Sequence, residues 1–178
     1  MQKSTPKIIL LDAQAIIDLH SWTLWKRLTH NCEVGVSSII RQESRFYKNA
    51  QGHKLPIDLQ PDIEASKVLQ IEVASEKMKA LVKKLNPAFL PALDEGELEA
   101  IAFLFGLEPK DPYYFCTADG LAIKCLGALG LRNRSLSLEE LFKQLRITYF
   151  LPPKYSKAFF DKMLQEGFRD GHLYLRRE

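Results

Sequence analysis

Cysteine is scarce in this chain. Cys32, Cys116 and Cys125 are the only three. They form an odd set with no CxxC spacing, which speaks against a disulfide framework or a zinc site. Two of them lie in apolar runs, where a thiol packs as a small hydrophobe. A reducing cytoplasm is the compartment this usage predicts. Long hydrophobic runs are also missing, so no membrane span is expected. Met1 to Lys7 is polar and no signal-type apolar stretch follows, so Asn133-Arg134-Ser135 reads as a chance sequon. Glycine and proline number nine each, and no repeat or low-complexity tract appears. His20, His30, His53 and His172 show no metal-ligand spacing. Nor is there a large charge of one sign: 25 Lys and Arg against 22 Asp and Glu give +3. That balance does not by itself demand a nucleic acid, though it permits one locally.

What is present suits one ordinary domain. Of 178 residues, 46% are hydrophobic and 26% charged, enough for a core and too apolar for disorder. Ile8 to Leu11 is an apolar run ending at Asp12, the pattern of a buried parallel strand. Helical spacing follows from Ala13 to Thr29. Val34 to Val36 is a second strand, and Ser37 or Ser38 caps a helix over Ile39 to Tyr47. Lys48 to Ile63, with Gly52, Pro56 and Pro61, reads as an inserted loop or hairpin. Val68 to Val73 is a further strand, and Ser75 caps a lysine-rich helix to Leu85. Asp94 opens a helix to Phe105. Tyr113 to Cys116 is an aromatic strand, followed by a helix over Gly120 to Leu129. Ser137 caps Leu138 to Leu145. Beyond Pro152 and Pro153, Tyr155 to Phe168 is an amphipathic helix, and the last ten residues read as a tail. Alternating strands and helices predict an α/β fold with a parallel sheet covered on both faces. Residues 1–150 form the main domain, with the insertion near 48–63. Residues 151–178 pack on it or extend it.

Four acids stand out. Asp12 sits where the first strand ends, a place that serves equally as a helix cap or as part of a ligand site. Glu43 shares a helical face with Ile39, Ile40, Phe46 and Tyr47, where a carboxylate must be paired, protonated or bound to a cation. In Asp94-Glu95-Gly96-Glu97 the first and last residues fit a capping box, yet Glu97 also heads a row through Ala100, Ile101 and Leu104. Asp119 repeats the geometry of Asp12, with Thr117 two residues before it, able to hold a carboxylate or water. At one edge of a parallel sheet such acids would repel one another unless a hard divalent cation neutralised them, and oxygen ligands select magnesium or manganese.

The strand ending in Asp12, the acid Glu43, the run Asp94-Glu95-Gly96-Glu97-Leu98-Glu99-Ala100-Ile101-Ala102 and the run Thr117-Ala118-Asp119-Gly120-Leu121-Ala122 together resemble a PIN domain. The resemblance covers about Lys7 to Leu145. It implies a three-layer α/β/α nuclease fold, Mg2+- or Mn2+-dependent cleavage of RNA and membership of the VapBC-type toxin-like ribonucleases. Homodimerisation and an antitoxin partner are implied with it. Carried over by position, Asp12, Glu43, Glu97 and Asp119 form the acidic quartet. Asp12 and Asp119 are then the core metal ligands, and Glu95 or Asp94 substitutes if the helix starts one residue differently. Gln14 stands where the family usually carries a small polar residue, and its longer amide would crowd the cation or hydrogen-bond a carboxylate.

From Gly120 onward there are eleven Lys or Arg against six Asp or Glu, which could lay a basic track beside the acids. The plainer reading is a solvated helix face. Lys124, one turn past Asp119, is the best placed. Lys77, Lys79, Lys83 and Lys84 read as solvated, and Trp22 and Trp25 as core or dimer contacts. Two other functions compete. One is a non-catalytic PIN-like module that binds a protein or RNA. The other is a phosphatase or receiver-type aspartate site, which lacks its DxD and its strand-end lysine here.

Overall fold

A computed structural model describes residues 7–176. Met1 to Pro6 of the polar lead, and Arg177 and Glu178 of the C-terminal charge count, lie outside them. The chain folds as an α/β protein with four parallel strands: β1 (Ile8–Leu11), β2 (Glu33–Ser37), β5 (Val68–Ile71) and β6 (Tyr113–Cys116). Their order is β5-β2-β1-β6. The apolar runs that lack alternation are the ones buried on both faces, as in β1, where all four residues are buried. Helices sandwich the sheet: α1 (Ala13–Ser21), α2 (Trp25–Asn31), α3 (Ser38–Glu43), α4 (Gln60–Glu64), α5 (Ser75–Lys84), α6 (Glu95–Phe105), α7 (Gly120–Ala128), α8 (Leu138–Gln144), α9 (Lys157–Arg169) and α10 (Gly171–Tyr174). A separate antiparallel hairpin pairs β3 (Phe46–Lys48) with β4 (Lys54–Pro56).

Several boundaries differ from the sequence reading. The helix expected over Ala13 to Thr29 breaks at Thr23, which takes a φ of 59°. The break lets Trp25 enter the core and donate its indole N–H to Asp62 at 2.8 Å. Trp22 is half-buried, its ring against Tyr149 and Tyr155. The helix after Ser37 stops at Glu43, because the buried Ser44 hydroxyl donates to the Ile40 carbonyl and the chain turns into the hairpin. Phe46 and Tyr47 therefore lie on a strand. The expected apolar stripe around Glu43 does not form, and Glu43 is exposed. The insertion holds the hairpin and then α4. Ser75 is the first residue of α5 rather than its cap, which is Ala74. The C-terminal helix begins only at Lys157, after a 3-10 turn over Pro153–Tyr155, with Ser156 as its cap. The expected tail is instead tied down as far as Arg176. Leu175 bridges Leu85, and the Asn86 N–H and side-chain amide donate to the Tyr174 and Leu173 carbonyls.

The tightest helix pair is α7 with α9. A Cβ on Gly127 would lie 2.2 Å from the Leu164 carbonyl oxygen, and one on Gly167 would lie 2.0 Å from that of Lys124. Only glycine permits two backbones to approach so closely. This contact fixes the C-terminal segment onto the helix that carries Asp119 at its start.

Candidate functional site

The chain moves from β1 outward to β2 and β5, then returns past β1 to build β6 on the other side. The direction reverses between β1 and β6. In open parallel sheets such a reversal leaves a crevice at the carboxyl ends of the strands, where ligands bind. Asp12 follows β1 directly, and Thr117 to Asp119 follow β6.

Asp12 is 5% exposed. One carboxylate oxygen caps α1 by accepting the Ala15 N–H at 2.5 Å. The other accepts the Ala118 N–H at 3.3 Å and so joins the ends of the two strands. Burial pushes its pKa up, opposed by the Thr117 hydroxyl, these two amides and the charge of Lys154. The buried Thr117 also accepts the Asp119 N–H at 3.0 Å. Asp119 is exposed and caps α7 through the Ala122 N–H at 2.8 Å.

Glu97 enters from the first turn of α6. The capping box forms, with its carboxylate accepting the Asp94 N–H at 3.3 Å. Glu97 is nevertheless 8% exposed, and its pKa is pushed up to about 8. Burial is the main cause, and the negative charges of Asp119 and Asp12 follow. Asp12, Glu97 and Asp119 are thus brought together as one electrostatic group.

Glu43 stands to the side. Its carboxylate lies over the start of α6, where a Cβ on Gly96 would come 2.7 Å from Oε2. Its pKa is raised by partial burial and then by the neighbouring charges of Asp94, Glu95 and Glu99, while the Gly96 N–H lowers it. Glu43 and the exposed Glu95 flank the same helix start. Gln14 neither crowds the site nor touches its carboxylates: its amide donates to Asp18 at 2.7 Å. Lys124 is committed to Glu166 on α9 at 2.9 Å, which raises its pKa.

The sequence reading missed the neighbours of Asp18. The Tyr155 hydroxyl donates to Asp18 Oδ2 at 2.6 Å, and Lys154 Nζ lies 3.1 Å from the same oxygen. The C-terminal 3-10 turn is thereby latched onto α1, and it brings to the crevice a positive charge that acts on Asp12. The partners are 137 residues apart, and no local pattern signals their meeting. Pro152 and Pro153 mark only that the chain stiffens there.

Among the described residues, no group of three or more His, Cys, Asp or Glu side chains is arranged to hold a metal ion. The donors themselves fit a hard dication. All are carboxylates, and each oxygen has more lone pairs than the amides occupy. Compared with protein families, curated proteins and solved structures, the chain matches none.

Proposed function

We propose that this chain is a PIN-like, magnesium- or manganese-dependent ribonuclease. The observation that carries the reading is the meeting of two strand ends at the sheet's reversal point: Asp12 after β1 accepts the Ala118 N–H at 3.3 Å, next to Asp119, and Glu97 is buried within reach of the charge of both. Asp12 and Asp119 would hold the cation, with Glu97 completing the shell and Glu43 at its flank. A bound dication supplies an activated water and neutralises charge on a phosphodiester in flight. Thr117 and the Ala118 amide hold Asp12 in one orientation. The Ala122 cap does the same for Asp119. Lys154 offers a cation beside the acids without occupying their oxygens.

The function as a toxin with an antitoxin partner, homodimerisation and a cytoplasmic location belong to this same proposal. The three cysteines are free, which suits a reducing compartment. Among the described residues no helix is long and apolar enough to cross a membrane. The non-catalytic alternative draws on one observation, the missing preformed shell.

Incubation of the protein with single-stranded RNA and Mg2+ or Mn2+ separates the two. Parent protein should cleave, and Asp12→Asn and Asp119→Asn should each lose cleavage while keeping their caps, since asparagine also caps helices. Equal cleavage by both variants and the parent would refute the nuclease reading.

A further inference from the structure

The hairpin of β3 and β4 leaves the domain directly after Glu43, at the acidic edge. Its two strands alternate cleanly. Tyr47 and Leu55 are half-buried, with the Tyr47 ring 5.6 Å from that of His20 on α1. Phe46, Lys48, Lys54 and Pro56 are exposed on the opposite face. Lysine and proline on an exposed ribbon also protect its edges against pairing with other strands. Here the outer face is positive. From Ser44 to Ile57 the chain has Arg45, Lys48, Lys54 and His53 and no acid at all.

The register makes this costly. Lys48 pairs directly across from Lys54, and like charges placed opposite each other destabilise a ribbon. Among the described residues, no carboxylate comes within ion-pair distance of Arg45, Lys48 or Lys54. Lys54 Nζ instead sits 4.3 Å from the centre of the Phe46 ring. Phe46 itself is 46% exposed. The tip is ordered rather than loose. Asn49 Oδ1 accepts the Gln51 and His53 amides, and Gly52 takes the positive φ of 81° that the turn requires.

We infer that the outer face of this hairpin is a platform for single-stranded nucleic acid, with Phe46 stacking a base and Lys48 and Lys54 holding the adjoining phosphates. An exposed aromatic beside cations that make no ion pair is the combination that binds single strands without reading their sequence. Fixed phosphates between Lys48 and Lys54 would relieve their repulsion. An acidic protein would satisfy the cations but would gain little from a lone aromatic. The inference deepens the nuclease reading, because the platform would feed a strand to the acids beside its root. Binding can be measured apart from cleavage.

The test is fluorescence anisotropy of a labelled oligouridine and a labelled oligodeoxythymidine, in EDTA, with full-length protein. In about 50 mM salt the parent should bind both. Phe46→Ala should weaken binding about tenfold. Lys48→Gln with Lys54→Gln should weaken it and lower the log–log salt slope by about 1.4, the share of two phosphate contacts on a single strand. Thermal melts of these surface variants confirm that they fold. A parent that binds neither strand, or variants that bind as the parent does, would overturn the platform and leave the face to a protein partner. Intact binding without metal-dependent cleavage would instead sink the nuclease reading and keep the platform.

Discussion

Replacing Glu97 by Gln should stabilise this protein, and increasingly so as pH rises. The Glu97 carboxyl has an ordinary pKa of 4.5 when unfolded and about 8 in the fold. Its folded value is raised, so its contribution to stability is fully present below pH 4.5 and is lost as pH climbs towards 8. Between those limits the unfolded chain gives up a proton that the native state keeps, so stability falls by about 1.4 kcal/mol per pH unit. At pH 7 the accumulated loss is about 3 kcal/mol, and above pH 8 it levels off near 5 kcal/mol. Glutamine keeps an oxygen to accept the Asp94 N–H and carries no charge to desolvate. At pH 7 the variant should therefore melt about 6–12 °C above the parent, using roughly 2–4 °C per kcal/mol for a chain of this size. At pH 4.5 the two should melt nearly together. Circular-dichroism melts of both proteins from pH 4.5 to 8.5, in EDTA, read this directly, because titrating groups remote from Glu97 cancel in the difference. A variant that is equally or less stable at pH 7, or a gap that does not widen with pH, would refute the claim that Glu97 sits buried beside Asp12 and Asp119.

Two further changes probe how the C-terminal segment is held. Gly167→Ala drives a methyl group into the Lys124 carbonyl oxygen, so it should cost about 3 kcal/mol, the upper part of the overpacking range. An unchanged urea midpoint would show that α7 and α9 do not meet there. Tyr155→Phe removes the hydroxyl that donates to Asp18, a hydrogen bond to a charged group, and should cost about 1.5–3 kcal/mol in urea. No loss would mean that Lys154 alone holds the latch.

The parallel sheet was legible because β1 and β6 are unbroken apolar runs, each ended by an acid and a helix start. Asp12 and Asp119 could be placed for the same reason: each caps a helix that the periodicity already marks. Glu97 was legible through its row with Ala100 and Ile101, which pointed it inward despite the capping box. Glu43 was not, because its apolar face assumed a helix through Tyr47. The Ser44 hydroxyl, donating to Ile40, and the Asn49–Gly52 turn end that helix instead. The kink at Thr23 also left no clear mark, since a threonine at positive φ follows from tertiary packing of Trp25 rather than from local preference. The Asp18–Tyr155–Lys154 latch joins distant segments, and such contacts have no period to read.

Manganese binding tests the central claim most directly. Mn2+ titrated into the parent at pH 7.5, followed by electron paramagnetic resonance, should show saturable loss of the free-ion signal. Asp12→Asn and Asp119→Asn should bind markedly more weakly while still melting cooperatively in EDTA. A folded parent that takes up no Mn2+ at millimolar ion, or variants that bind it equally well, would contradict the account.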